Sequence, residues 1–393
     1  MTETQRETTP GLPALPVHFR RERFDPVPEL ARLREQEPVS RTTLLSGPEA
    51  WLVTRHQDVR EVLSDSERFS IKSGQSPIDS VLLTDDPPEH TRLRKMLAPE
   101  FTSRRMDWLR PRVEAIVAEH LDAMEQAGPS VDLVAEFALP IPSLVICELL
   151  GVPYADRAEF QERSTRRLDL TLTLPERLAI GDTSRAYTAE LVARKRQEPD
   201  GALISTLIRE HGDELSDDEL IDIADLLLIA GHESTSTMLG IGTLVLLLHP
   251  EQVELIRSDD ARVDQAVEEL MRYLTISHSA VPRIALADTE IAGVPIKTGD
   301  LVDCSFVGAN RDEEVFGAEA GRFDIRRKSG AHIAFGHGIH HCLGAPLARM
   351  EMRIAYPALL RRFPGLRLAV PVAEIEFRAH SVVYGVESLP VTW

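Results

Sequence analysis

Cysteine is scarce in this chain: Cys147, Cys304 and Cys342 are the three among its 393 residues. An odd, sparse count argues against a disulfide framework and fits a reducing compartment. Long apolar runs are also missing. No stretch of about 18 uncharged apolar residues occurs, so no membrane-spanning helix is expected. The stretch from Met1 to Asp25 is polar and rich in Pro, Thr and Arg, with no apolar segment of the signal-peptide kind, so a cytoplasmic location is the default expectation. Positive charge is in deficit. A formal net charge of −19 argues against nonspecific nucleic-acid binding, which needs basic patches, and leaves room for a local basic docking face. Neither a P-loop nor a Gly-x-Gly-x-x-Gly after a strand is present, so the chain carries no nucleotide-binding loop for NADPH or flavin chemistry.

No Gly/Ser linker, low-complexity block or internal repeat divides the chain. Residues 1–20 read as a flexible arm and 21–393 as a single domain, although length alone suggests two or three. Apolar residues make up 43% of the composition, enough for a large core. Their spacing predicts helices over 28–38, 57–64, 89–94, 108–126, 141–150, 177–196, 202–211 and 263–273. The longest is Asp217–Leu248, opened by the capping box Ser216-Asp217-Asp218-Glu219 and stopped by Pro250. It would span roughly 45–50 Å through the middle of the domain. Residues 50–54 read as a strand, 283–303 as short strands with turns, and 380–393 as a hairpin. Residues 71–88, broken by Gly74, Pro77, Pro87 and Pro88, read as loop. The fold class is mainly α with minor β.

The stretch Phe335-Gly336-His337-Gly338-Ile339-His340-His341-Cys342-Leu343-Gly344 places one cysteine after a glycine-rich turn and before an apolar helix. The glycines permit positive φ and close backbone approach. Amides at a helix start can hold the sulfur as thiolate, the axial ligand that pushes electron density onto heme iron. A structural cysteine, or a zinc site from His337, His340, His341 and Cys342, is the alternative. Four ligands in six residues are too cramped for the usual two-pair tetrahedron.

With Phe335, Gly336, Gly338, His340, Cys342 and Gly344 at every fixed position, the pattern resembles the heme-binding signature of the cytochromes P450. The resemblance extends over the chain after residue 20, with an actinomycete flavour between Val131 and Pro153. It implies a long central helix lying over a heme, heme b as cofactor, and Cys342 as the iron ligand. Ala230-Gly231-His232-Glu233-Ser234-Thr235 resembles the family's oxygen-activation motif. Glycine and hydroxyls in a helix predict a local opening of its hydrogen-bond ladder. The resemblance makes Glu233 the proton relay and Ser234 the hydroxyl that bonds the reacting oxygen, with Thr235 completing the catalytic set. Serine in place of the usual threonine keeps the hydroxyl and loses the methyl that fixes its rotamer.

Glu269 and Arg272 stand three apart on one helix face, at the spacing of the family's Glu-x-x-Arg, with Arg322 as the implied third member of the ion-pair network. Two heme propionates need partners, and arginine forks suit them. The resemblance assigns His90, Arg94, Arg283 and His340 to that task. A substrate pocket is expected from Val81, Leu82, Leu83, Leu226, Ala230, Ser279, Ala280, Val281, Val382 and Val383, small and apolar and fit for a bulky hydrophobic molecule. The activity so implied is a monooxygenase that hydroxylates or epoxidises a polyketide, macrolide, terpenoid or similar molecule. It would take O2 and two electrons from a ferredoxin or flavodoxin with an NAD(P)H-dependent reductase. A peroxygenase would not need the Glu233–Ser234 pair. A heme-binding sensor would need no proton relay, and a cysteine or zinc hydrolase leaves the long helix without a role.

Overall fold

The computed structural model describes residues 14–393 except 77, 79 and 329. Most of the predicted arm, residues 1–13, lies outside these. The rest of it is not loose. Val17–Phe19 forms a turn, and His18 is fully buried with its Nε2 3.0 Å from Asp303.

The central helix is Asp217–Leu248, with the predicted bounds. Its capping box forms: the Ser216 amide donates to Glu219 (2.9 Å) and the Glu219 amide to the Ser216 hydroxyl (3.2 Å). A helix apolar on nearly all sides must be covered on all sides. Helices Pro140–Leu150, Leu174–Gln197 and Ala345–Arg362 pack around it. Two of its glycines make room for neighbours. A Cβ on Gly231 would lie 2.6 Å from the Ile146 side chain, and one on Gly242 would collide with the Tyr356 hydroxyl. The predicted opening at Gly231 is not formed. The helix runs unbroken, and the Ser234 hydroxyl donates to the Ala230 carbonyl (2.9 Å). Glycine serves here to admit Ile146 rather than to break the ladder.

A five-stranded sheet stands beside the helices in the order Val39–Thr43, Glu49–Val53, Leu301–Cys304, Arg283–Ala285, Phe69–Ser70. The predicted C-terminal hairpin is corrected. Pro390–Thr392 is the middle strand of a small sheet between Arg367–Leu368 and Ser130–Asp132, while Ser381 and Val383 bridge singly to Asp169 and Ser277. Within the predicted loop 71–88, Val81–Thr84 makes a helical turn. A twelve-residue helix, Arg157–Leu168, was not anticipated.

The lid over the central helix is fastened by carboxylates. Asp222 accepts from the Ser80 hydroxyl (2.9 Å), the Val81 amide (2.8 Å) and Arg185 (3.1 Å). Asp225 accepts from Ser184 (2.5 Å) and Arg167 (2.6 Å). One stretch of helix thus holds the 80–84 turn and both helices Arg157–Leu168 and Leu174–Gln197. Asp222→Asn is expected to loosen the turn, seen as faster amide hydrogen exchange over residues 80–84 and unchanged exchange in the Cys342 loop. Equal exchange in both proteins would remove Asp222 from this role.

Candidate active site

The cysteine loop is shaped by two left-handed glycines, Gly336 and Gly338, each at φ +74°. A Cβ on Gly338 would strike the Leu63 carbonyl at the end of helix His56–Ser64, so no side chain fits there. The Cys342 amide donates to the Phe335 carbonyl (2.9 Å), and the His341 amide to that of Gly338 (3.1 Å). The loop therefore delivers the sulfur to the start of helix Ala345–Arg362. Although Cys342 is accessible, the protein atoms crowded around its sulfur thin its solvation and raise the thiol above its ordinary range. The amides of Gly344 and Ala345 and the charges of Arg94 and Arg349 pull against that. A coordinated metal cation completes such a shift and deprotonates a thiol outright. Cys147 and Cys304 are buried and Cys342 is exposed, so it alone offers its sulfur to a ligand. Among the described residues no three His, Cys, Asp or Glu side chains converge as a metal cage requires. The zinc alternative is thereby not formed.

A buried network stiffens this loop from behind. Arg272 and Glu269 are fully buried and joined by two bonds of 2.7 Å. The remaining Arg272 donors reach the carbonyls of Asn310 (2.9 Å), Ala320 (2.8 Å) and Arg322 (3.1 Å). Arg322 is therefore not the third charged member. Its side chain is exposed and pairs with Glu319, and it contributes only its carbonyl. Arg327 takes the position, with Nε 3.2 Å from Glu269. Asn310 links the network to the cysteine loop: its side chain donates to Thr275 (2.9 Å) and accepts from the Ile333 amide (2.8 Å), whose carbonyl receives the Gly336 amide (2.9 Å).

Sequence reasoning missed a second brace. Arg349 grips Glu268 with two bonds of 2.7 and 2.9 Å, His332 adds a third at 3.0 Å, and the Arg349 guanidinium lies over the Phe335 ring at 4.4 Å. Its signals were in plain view, one residue before Glu269 and seven after Cys342. Burial would raise Glu268, but the bonds from His332 and Arg349 outweigh it and bring it down to about 2. A depressed carboxylate stabilises the fold above its unfolded pKa, and that contribution is lost as pH falls through the folded one. Glu268→Gln is expected to cost on the order of 3 kcal/mol at pH 7, with the gap to the parent closing as pH drops from about 4.5 to about 2. Urea unfolding across that range tests it, and a pH-independent gap would contradict it.

On the opposite side of the loop four cationic or cationisable groups crowd together. His90 Nδ1 and His340 Nε2 are buried without a partner, and the two rings are 4.1 Å apart. Arg94 donates to the His341 carbonyl (2.7 Å) and Arg283 to that of Val281 (3.0 Å), neither meeting a carboxylate by hydrogen bond. Burial, followed by the charges of His90, Arg283 and Arg94, brings His340 down to about 3. Two arginines that meet no carboxylate by hydrogen bond, with two unpartnered imidazole nitrogens beside them, suit a dianion. A single presented thiolate beside a nest for two carboxylates fits an iron porphyrin.

Along the central helix Ala230 is exposed and Ser234 half-buried, where most neighbours are fully buried, so one face opens onto this space. Glu233 is 2% exposed and accepts from the Thr165 hydroxyl, with Arg378 Nη1 at 3.6 Å. Thr235 is buried and turned about 100° from Ser234, so it does not share the open face. Of the expected pocket residues, Leu82, Leu226 and Val383 are buried in the main core. Val81, Leu83, Ser279, Ala280, Val281 and Val382 keep partial exposure.

A mainly helical fold, one cysteine presented on a glycine loop and a propionate nest together define a heme-thiolate protein. The comparisons agree. The family model "Cytochrome P450" matches residues 179–367. Cytochrome P450-SU2 of Streptomyces griseolus is 48% identical over 383 residues, 94% of each chain. Vitamin D3 dihydroxylase of the same organism is 42% identical, covering 92% of this chain and 93% of its own. The crystal structure of CYP105P1 in complex with filipin I superposes with a TM-score of 0.92 at 43% identity, covering 97% of this chain and 99% of that one. The chain belongs to the cytochrome P450 family, in its actinomycete branch. It is a monooxygenase whose cofactor is heme b with the Cys342 thiolate as axial ligand. No single helix among the described residues is long and apolar enough to cross a membrane.

Proposed function

We propose that the protein hydroxylates or epoxidises a bulky, mostly apolar small molecule of the polyketide, terpenoid or sterol kind, in the cytoplasm, with electrons from a ferredoxin or flavodoxin and its NAD(P)H-dependent reductase. The observation that carries this reading is the open Ala230–Ser234 face on a buried helix, with an acid at Glu233 beside it. A sensor or a peroxygenase has no use for that pair. The half-buried apolar side chains of Val81, Leu83, Ala280, Val281 and Val382 suit a large hydrophobic guest. The names of two relatives, one acting on vitamin D3 and one solved with filipin I, point to the same size class.

Heme b, once bound, supplies the reductive activation of O2, and its thiolate favours O–O cleavage. The chain's own groups do the rest. His90, Arg94, Arg283 and His340 would hold the propionates, and Phe335 and Gly344 belong to the loop that presents Cys342. Glu233 carries protons from the Thr165 side of the helix inward. The Ser234 hydroxyl is anchored on the Ala230 carbonyl, and re-aiming it supplies a donor toward the reacting oxygen. The lid of Arg157–Leu168 and Leu174–Gln197, clasped to Asp222 and Asp225, excludes bulk water and so limits loss of electrons to side products. Titration with macrolides, terpenoids and sterols, read as the spin-state shift of the ferric Soret band, tests the substrate class. A saturable shift with one of them and a hydroxylated or epoxidised product on reconstitution is the expected result. A shift only with small polar molecules would overturn the reading.

A further inference from the structure

Glu233 is paired with a cation from the far end of the chain. We propose that Arg378 is a positioning residue that aims the Glu233 carboxylate for proton delivery, an inference that rests on Glu233 being the proton-carrying acid. Three groups face this carboxylate. From helix Arg157–Leu168 the Thr165 hydroxyl donates to Oε1. On its own helix His232 stands with Nε2 3.7 Å from Oε1. Its Nδ1 lies 2.6 Å from the Leu228 carbonyl, which only accepts, so that nitrogen carries the hydrogen. Burial lowers the imidazole and keeps it neutral, which leaves Nε2 a lone pair and nothing to donate to Glu233. From the C-terminal segment comes Arg378, with Nη1 3.6 Å from Oε2. That separation is an ion pair and lies beyond hydrogen-bond range. Arg378 therefore draws the carboxylate to one side by charge and leaves Oε2 with its lone pairs free for a proton donor.

The seat of the guanidinium is built. Its Nη2 donates to the Thr237 hydroxyl (2.7 Å), one helical turn beyond Glu233. The Arg378 amide donates to the Gly385 carbonyl (2.8 Å), and Phe377 bridges to Val386 beside it. Gly385 is the residue that admits this arrangement. A Cβ there would lie 2.6 Å from the Thr237 methyl and 3.1 Å from Arg378 Nη2. Thr237 and Gly385 therefore fix the cation between the central helix and the C-terminal turn, independently of Glu233.

The test uses the holoenzyme and the variants Arg378→Ala, Arg378→Lys, Glu233→Gln and the Glu233→Gln/Arg378→Ala double. Electrons come from a plant-type ferredoxin and its NADPH reductase without substrate, where each O2 takes two electrons and two protons and leaves as H2O2. Arg378→Ala is expected to slow NADPH oxidation about tenfold, within the range of general acid–base effects, and to raise the H2O/D2O rate ratio. Arg378→Lys should recover most of the rate, and the double variant should be no slower than Glu233→Gln alone. The ferrous-CO spectrum should be the same in all. A slow Glu233→Gln beside a fast Arg378→Ala, or fully additive effects, would overturn the role of Arg378 and leave Glu233 standing. A fast Glu233→Gln would instead bring down the acid itself. Urea unfolding of the parent, Arg378→Ala, Glu233→Gln and their double then decides on the pair: non-additive midpoints show that Arg378 still positions residue 233, and additive ones remove it.

Discussion

Cys342→Ser is expected to abolish monooxygenase turnover and the strongly red-shifted Soret band of the ferrous-CO form, while leaving the fold in place. The loop is shaped by Gly336, Gly338 and the Cys342 amide rather than by sulfur. The chemistry does not survive the exchange. The amides of Gly344 and Ala345 and the charges of Arg94 and Arg349 favour an anion at this position, yet thin solvation opposes it. A thiol loses its proton to a metal under that balance, and an alcohol, a far weaker acid, does not. The electron donation that favours O–O cleavage goes with it. The measurement is the reduced CO spectrum of both proteins at equal heme content. Retention of the red shift in the serine variant would show another axial ligand, and a parent protein that binds no heme would sink the assignment at its root.

The second large effect lies outside the pocket. Glu269→Gln and Arg272→Ala are each expected to cost about 3–5 kcal/mol, the range for breaking one partner out of a fully buried ion pair, and to purify with little heme. Arg272 is the more severe of the two, because it also donates to three backbone carbonyls, those of residues 310, 320 and 322. Removing it strips the carbonyls of Asn310 and Ala320 of the donor they share, leaves that of Arg322 with Arg327 alone, and takes two of its bonds from Glu269. Glu269 in turn receives the Asp324 amide (3.1 Å) and Arg327. Because Asn310 ties this cluster to Ile333 and so to Gly336, slack here reaches the sulfur. Urea midpoints and heme-to-protein ratios measure both effects together. Arg322→Ala serves as the contrast and should change neither by more than surface pairs do.

The contrast between Arg322 and Arg327 shows where the sequence was legible. Local signals read well. Ser216 and Glu219 located the start of the central helix to the residue, and the glycine spacing before Cys342 located the loop. Identities that depend on which side chain swings inward did not read. Arg322 and Arg327 are five apart in an irregular segment, where no period says which one faces Glu269. Helix Arg157–Leu168 was missed because its buried side is Phe160, Ser164 and Leu168, a stripe with a polar middle. Arg378 had no local signal at all. Its meaning comes from Gly385 and Thr237, brought beside it by a chain reversal that spacing along the central helix does not encode.

The manner in which the lid is fastened bears on how this protein will behave at the bench. Asp222 and Asp225 hold the 80–84 turn and two helices through charge and hydroxyl contacts, and Arg185 and Arg196 add half-exposed pairs with Asp218 and Asp217. Attraction between partly solvated charges fades as ions screen it, over about 8 Å at physiological ionic strength and about 3 Å at 1 M. The apolar packing of the central helix against Pro140–Leu150 is indifferent to that screening. Added salt will therefore weaken the exposed pairs of Arg185 and Arg196 first, while the buried Arg167–Asp225 pair and the hydroxyl and amide bonds of Ser80, Val81 and Ser184 keep the helices seated.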